Sequence, residues 1–513
     1  MRSLLRSHRD LIAIIVLVGV ALTVRIGELD RPLHGDEMIT FSNMVLGRSF
    51  GDIVLGPFDS NNHLLNSLIM KAVVVTAGES PALMRLPNLI MSLLTVVLLY
   101  FVGSREIGRG FGLAAALLLA VHPAMVLFSV FARGYAGMIL FTLLSSVLIL
   151  HALRSFSWRR VALAAVTGLI AIAFHLFAAV SIAAQAALVV IAAFVPDPRD
   201  DRPRPPHALG TLRVAAGPMS ALVLGFALLA PQLASSTVGS ARYLFQAAFP
   251  VALVNFLGGR SYDTGLDPVS LLLLAAAVAG FISLKQRDLK ILTGLLYLTP
   301  ITLYAISSVA PFFTLHPRFF AFLLPFHLFL GVAGLSSGVA LARTLTHDRS
   351  RTARTACGIA VLCVLLTGAV LVERIRVPAD RGLHRLQDAV ARFVDSHPDA
   401  AFLTNDTGFV RVRLRQEANM DRIRPALGIR AILDALAEQP VGEVFYIHVP
   451  QRRFSESDLI HYRGKVPPDE LYRRDDRLRG FLTRNAALEL DLGPRVMIYA
   501  LRDGRPQAPP PRR

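Results

Sequence analysis

Two adjacent carboxylates, Asp36 and Glu37, stand in the run Leu33-His34-Gly35-Asp36-Glu37-Met38-Ile39-Thr40-Phe41, just past the first long apolar segment of the chain. A carboxylate at such a boundary can take the proton of a hydroxyl nucleophile. Neighbours on a helix point about 100° apart, so one of the pair faces a given reacting atom and the other serves a separate partner. The same pair also suits the first turn of a helix, where free amides favour negative charge, and on the residues alone both readings stay open. Arg133, in Phe131-Ala132-Arg133-Gly134-Tyr135-Ala136, and Arg318, in Leu315-His316-Pro317-Arg318-Phe319, each sit where a long hydrophobic run begins or ends. An arginine there either snorkels to the interface or binds an anion such as a lipid phosphate. Of the histidines near such ends (His34, His63, His122, His175 and His316), His63 is the best placed to meet a substrate, because Ser60-Asn61-Asn62-His63 interrupts apolar sequence. Their spacing matches no compact ligand motif, so a divalent metal has room beside Asp36 or Glu37 but no signature.

The elements that must position these groups are membrane helices. Hydrophobic residues make up 54% and charged residues 17% of 513, and the apolar ones come in long blocks, which excludes a soluble multidomain chain. The net charge of +17 does not point to nucleic acid, because its lysines and arginines collect in alternate loops, as the cytoplasmic loops of a membrane protein require. Only Cys357 and Cys363 occur, both inside an apolar block, which leaves no disulfide framework or thiolate zinc site for the water-exposed parts.

Apolar segments long enough to cross about 30 Å of hydrocarbon fall at 10–27, 82–103, 111–129, 134–153, 161–176, 178–195, 213–232, 269–284, 290–309, 319–341 and 355–373, giving about eleven crossings. Arg2, Arg6 and Arg9 precede the first, which lacks a small-residue cleavage site after it and is expected to stay as a retained helix. Basic residues recur at Arg105 and Arg109, at Arg154 to Arg160, at Arg199 to Arg213, at Lys285 to Lys290 and at Arg343 to Arg354. Those loops are expected to be cytoplasmic, which puts Asp36, Arg133, Arg318 and the five histidines on the outer side.

The first outer loop, about Glu28 to Pro81, carries apolar runs at Met38 to Leu46 and Leu64 to Thr76 that suit interfacial helices. A second large loop, Leu233 to Pro268, offers Tyr243, Phe245 and Phe249 as interfacial aromatics. Pro196 to Pro206 reads as a disordered connection. The expected domains are a transmembrane unit over 1–373, a small α/β unit over 374–505 with strands at Ala401-Phe402-Leu403, Val444 to Ile447 and Val496 to Tyr499, and a disordered tail over 506–513. An odd number of crossings from a cytoplasmic N-terminus places that α/β unit outside, in a bacterium the periplasm.

Taken in order, the acid pair, Asn62-His63, Glu79-Ser80-Pro81-Ala82-Leu83-Met84-Arg85-Leu86-Pro87, His122-Pro123, Ala132-Arg133-Gly134-Tyr135-Ala136, His175-Leu176-Phe177 and Arg318-Phe319-Phe320 resemble the GT-C superfamily of polyprenyl-phosphate-sugar-dependent glycosyltransferases. The likeness is greatest to the bacterial protein mannosyltransferase and aminoarabinose transferase branch, and it covers roughly Met1 to Ala340. It implies an all-α polytopic membrane fold and transfer of a sugar, with inversion, from a lipid-linked phosphate donor at the outer face of the inner membrane. It also implies Asp36 as catalytic base with Glu37 beside it, Arg133 and Arg318 on the donor phosphate, and Asn62, His63, His122, Tyr135 and His175 about the substrate. Met38-Ile39-Thr40 and Asn62-His63-Leu64-Leu65 depart from the aromatic and His-Pro-Pro-like patterns common in the family, which leaves the acceptor open as protein, lipid or glycan.

The chemistry asks for the same groups. A base must take the acceptor's proton and positive charge must steady the departing phosphate; a carboxylate and two arginines do both without requiring a metal. Two rivals remain: an oligosaccharide ligase or polymerase acting on a polyprenyl diphosphate, and a lipid-linked sugar transporter or flippase. A transporter would place ionisable residues along a mid-membrane path, whereas here they gather at one surface.

Overall fold

The computed structural model describes residues 8–31, 33, 36–56, 63–195, 208–234, 249–260, 266–309, 315–344 and 349–375. Of the C-terminal part it describes 390, 392–404, 423–425, 444–448, 478, 482, 486–491 and 497–501. His34, Asn62, Tyr243, Phe245, the Pro196–Pro206 connection and the 506–513 tail lie outside the described residues. Two compact units result: Met1–Arg31 with Thr40–Val377, and Pro32–Ile39 with Pro378–Arg513.

The first unit is helical. Its elements begin with α1 (His8–Thr23); α2 (Asp36–Thr40) starts in the other unit and ends here; α3 (Phe50–Leu55), α4 (Leu64–Ala77) and α5 (Pro81–Glu106) follow. Next come α6 (Arg109–Ala120), α7 (Pro123–Ser129), α8 (Tyr135–Arg154), α9 (Trp158–Phe174) and α10 (Ala178–Phe194). The rest are α11 (Ala208–Leu212), α12 (Ala216–Ala234), α13 (Phe249–Leu257), α14 (Pro268–Ser283), α15 (Arg287–Val309), α16 (Leu324–Thr344) and α17 (Arg349–Glu373). Every apolar segment expected to span is helical. Local chemistry sets the starts: Ser80 accepts from the Leu83 amide with Pro81 in the first turn of α5, and Asp267 accepts from the Ser270 amide ahead of Pro268 in α14.

Among the described residues six helices are long and apolar enough to cross a membrane, or seven if one bent pair is a single span. The protein is thus a multi-pass membrane protein, while a count of about eleven crossings needs helices shorter than that, such as Ala178–Phe194 and Pro268–Ser283. The segment expected to run straight over 111–129 is instead broken, α6 meeting α7 at 62°. Proline disfavours helical geometry in the residue before it, and His122, ahead of Pro123, has extended backbone.

The bundle has two distinguishable ends. At one, Arg154 at the close of α8 pairs with Glu106 at the close of α5 at 3.2 Å, and Gln286 just before α15 bonds the same carboxylate. Asp10 near the start of α1 accepts from Tyr100 at 2.8 Å and pairs with Arg109 at 3.6 Å. At the other end lie the starts of α4, α5, α8 and α10, the close of α9 and the entry to α16.

The second unit contains a five-stranded sheet in the order β2-β1-β3-β5-β4, with β1 Ala401–Thr404, β2 Ile423–Pro425, β3 Val444–His448, β4 Ala486–Asp491 and β5 Met497–Leu501. β1 pairs in parallel with β2 and β3, whereas β5 is antiparallel to β3 and β4. Phe402, Tyr446, Ile447 and Ile498 are fully buried. The strands β2 and β4 went unrecognised in the sequence: Ile-Arg-Pro is too short to alternate, and Ala-Ala-Leu-Glu-Leu-Asp reads equally well as helix.

Candidate active site

The turn from Val130 to Gly134, between α7 and α8, is gripped from below by two asparagines. Asn66 on α4 donates to the Ala132 carbonyl at 2.8 Å, and Asn88 on α5 donates to the Phe131 carbonyl at 3.0 Å and to Asn66 Oδ1 at 3.1 Å. These bonds satisfy carbonyls that no helix reaches, and they fix the direction in which the next residue, Arg133, leaves the chain. The Arg133 guanidinium is buried and donates to Thr40 Oγ1 at 3.2 Å. Arg85, also buried on α5, donates to the carbonyls of Glu28, Leu29 and Arg31, closing the end of the first helical segment ahead of the acid pair.

Gly134 follows. A Cβ there would lie 1.9 Å from the Phe174 carbonyl oxygen and 2.9 Å from His63 Nδ1, and one at Gly137 would sit 2.4 Å from the Phe174 ring. Glycine is therefore needed for close approach, its backbone being ordinary (φ −66°). Through that gap the Nδ1–H of His63 donates to the Phe174 carbonyl at 3.1 Å.

Three rings then meet. His63 lies 5.2 Å from Tyr135 and 4.7 Å from His175, centroid to centroid, and Tyr135 is 5.0 Å from His175. Phe128 stacks on Tyr135 at 4.6 Å, and Phe319, next to Arg318, stacks on Phe177 at 4.5 Å while touching His175 at 5.5 Å. His175 opens the turn between α9 and α10, where its Nδ1 accepts from the Phe177 amide at 3.2 Å.

Burial first, then the charge of Arg133, hold His63 well below the usual imidazole range. The His63 ring is neutral at physiological pH, the His175 ring accepts a hydrogen bond at Nδ1, and both stand near the two guanidinium groups, so Arg133 and Arg318 flank one site. His63 Nε2 and the Tyr135 hydroxyl are buried and have no hydrogen-bond partner among the described residues. Leaving such groups unmatched costs roughly 1–3 kcal/mol each, so each calls for a partner, a ligand or an ordered water.

Of the residues singled out in the sequence, the structure brings His63, Arg133, Tyr135, His175 and Arg318 together. His122 has other neighbours: it stands at the α6–α7 break and its Nε2–H donates to the Leu257 carbonyl at 3.2 Å. Asp36 and Glu37 open α2 within the other unit, Asp36 half-buried and Glu37 fully buried. Among the described residues no three His, Cys, Asp or Glu side chains gather as metal ligands. Sequence reasoning missed Thr40, Asn66, Asn88 and Gly134. For Asn66 and Asn88 the signal was available, as amides inside otherwise apolar helices; for Thr40 there was none.

The profile of the dolichyl-phosphate-mannose-protein mannosyltransferase family matches residues 64–216, less than half the chain but including the Asn66, Asn88, Arg133 and His175 positions. No curated protein sequence matches. Among solved structures, ArnT from Cupriavidus metallidurans bound to undecaprenyl phosphate superposes with a TM-score of 0.52 at 12% identity, covering 95% of this chain and 97% of that one. Its apo state gives 0.52 at 14% identity over 96% and 99%. The archaeal oligosaccharyltransferase AglB from Archaeoglobus fulgidus, in complex with an inhibitory peptide and a dolichol-phosphate, gives 0.56 at 11% identity over 94% and 79%.

Proposed function

We propose that this chain, which carries the GT-C fold of membrane glycosyltransferases, moves a sugar from a polyprenyl-phosphate donor to an acceptor hydroxyl at the outer face of a bacterial inner membrane. The observation that carries the reading is the pair of guanidiniums, Arg133 and Arg318, about two neutral histidines at one end of the helical unit. Positive charge at that end, away from the basic loops around Arg105, Arg154 and Arg287, suits the phosphate of a lipid-linked donor. ArnT and AglB, the proteins of like fold, were solved with undecaprenyl phosphate and dolichol-phosphate, which supports a lipid phosphate as that anion.

The reaction is a single displacement. The acceptor oxygen bonds to the anomeric carbon as the bond from that carbon to the phosphate oxygen breaks; the electron pair leaves on the polyprenyl phosphate, and the configuration inverts. Arg133 and Arg318 stabilise the charge that gathers on the leaving phosphate. Asp36 takes the acceptor's proton, and Glu37, its side chain buried, supports the loop.

Asp36→Asn tests the assignment. In membranes supplied with a labelled undecaprenyl-phosphate sugar, release of the lipid phosphate should fall about 10²–10⁴-fold with donor binding retained. Undiminished release would remove Asp36 as the base.

A further inference from the structure

We propose that His63, Tyr135 and His175 form a subsite for an uncharged, hydroxyl-bearing ring, the sugar of the donor, distinct in chemistry from the arginine pair that takes its phosphate. The inference rests on the donor class proposed above. His63 Nδ1–H is committed to the Phe174 carbonyl, so in the neutral ring Nε2 presents only a lone pair. That nitrogen is buried and unmatched among the described residues. An anionic oxygen cannot satisfy it, since both would be acceptors. A hydroxyl can.

His175 has the opposite tautomer. Its Nδ1 accepts from the Phe177 amide, which leaves the proton on Nε2 as a donor. The Tyr135 hydroxyl, buried and unmatched, can do either and stands 5.2 Å from His63 and 5.0 Å from His175 by ring centroid. The trio therefore offers one fixed acceptor, one fixed donor and one adaptable group, the complement of a polyol edge rather than of a phosphate. The Phe174 carbonyl and the Phe177 amide set the two tautomers, and the charge of Arg133 and Arg318 helps keep a second proton off His63.

The test compares two lipids on the full-length protein in lipid nanodiscs: undecaprenyl phosphate, and the same lipid carrying mannose or glucose. Tyr135→Phe deletes only the hydroxyl, and His63→Asn keeps a donor toward Phe174 while deleting the Nε2 position. The wild type should prefer one glycosylated lipid, and each variant should lose about ten-fold of that preference with affinity for the bare lipid phosphate unchanged. Equal losses for bare and glycosylated lipid, no loss at all, or a wild type that holds every lipid equally would overturn the sugar subsite while leaving the phosphate reading in place. A wild type that binds none of these lipids would overturn the donor class itself, and the subsite with it.

Discussion

Asp267 and His63 are both buried polar side chains standing immediately before a helix, yet their surroundings are built to opposite rules. Around Asp267 the acceptors are taken up: Oδ2 receives the Ser270 amide and hydroxyl, each at 2.7 Å, and Oδ1 receives Arg374 at 2.8 Å and Arg260 at 3.4 Å. Arg374 spends a second nitrogen on the Gly258 carbonyl at 2.8 Å. Burial pushes the Asp267 carboxyl up, but the Ser270 bonds and Arg374 outweigh it and hold the group below the ordinary carboxylate range. Around His63, by contrast, two arginines stand near two neutral rings, and among the described residues His63 Nε2 and the Tyr135 hydroxyl have no hydrogen-bond partner. A saturated network ties the close of α17 to the start of α14, whereas the open acceptor and hydroxyl beside His175 belong to the subsite proposed above.

The comparison can be broken by substitution. Arg133→Gln should leave a folded protein whose turnover of a lipid-phosphate sugar is down roughly 10²–10³-fold, as measured by release of the lipid. Asp267→Ala should do the reverse, costing ~3 kcal/mol in a denaturation experiment by stranding Arg374, with activity per folded molecule retained. An Asp267 variant that is stable but inactive would erase the distinction. Gly134→Ala should cost about 1–3 kcal/mol and lower activity too, because the new methyl displaces the Phe174 carbonyl on which His63 depends.

The smallest effect concerns pH. An unfolded imidazole takes a proton below about 6.5, while burial and the charge of Arg133 keep folded His63 unprotonated well below that, so stability is full above 6.5 and falls as pH drops. The slope is about 1.4 kcal/mol per pH unit for one fully shifted group. His63→Asn, which keeps a donor toward the Phe174 carbonyl, should flatten thermal stability against pH below about 6.5 by that amount. An unchanged profile would mean the ring is charged in the folded state.

Much of this was legible in the residues. Apolar runs matched the long helices of the membrane unit, because hydrophobic length is a local property, while the short α3, α11 and α13 were not foreseen. Arg133 and Arg318 stood out by their positions against the positive-inside pattern, His63 by the polar break before it and His175 as a histidine near the outer side, whereas Tyr135 was reached only through the family resemblance. His122-Pro123 carried the α6–α7 break in plain view, although a hydropathy window averages across it.

What the sequence by itself determined is therefore which segments are helical and which residue types wait at their ends. Tertiary structure alone decided that Asn66 and Asn88 aim Arg133, that Gly134 yields space to the Phe174 carbonyl, and that His63 and His175 carry opposite tautomers. Those outcomes depend on partners such as His63 and Phe174, 111 residues apart. A hydrogen bond is set by angstrom-scale geometry between chain segments that composition and periodicity do not relate, so it exists only once the helices have packed.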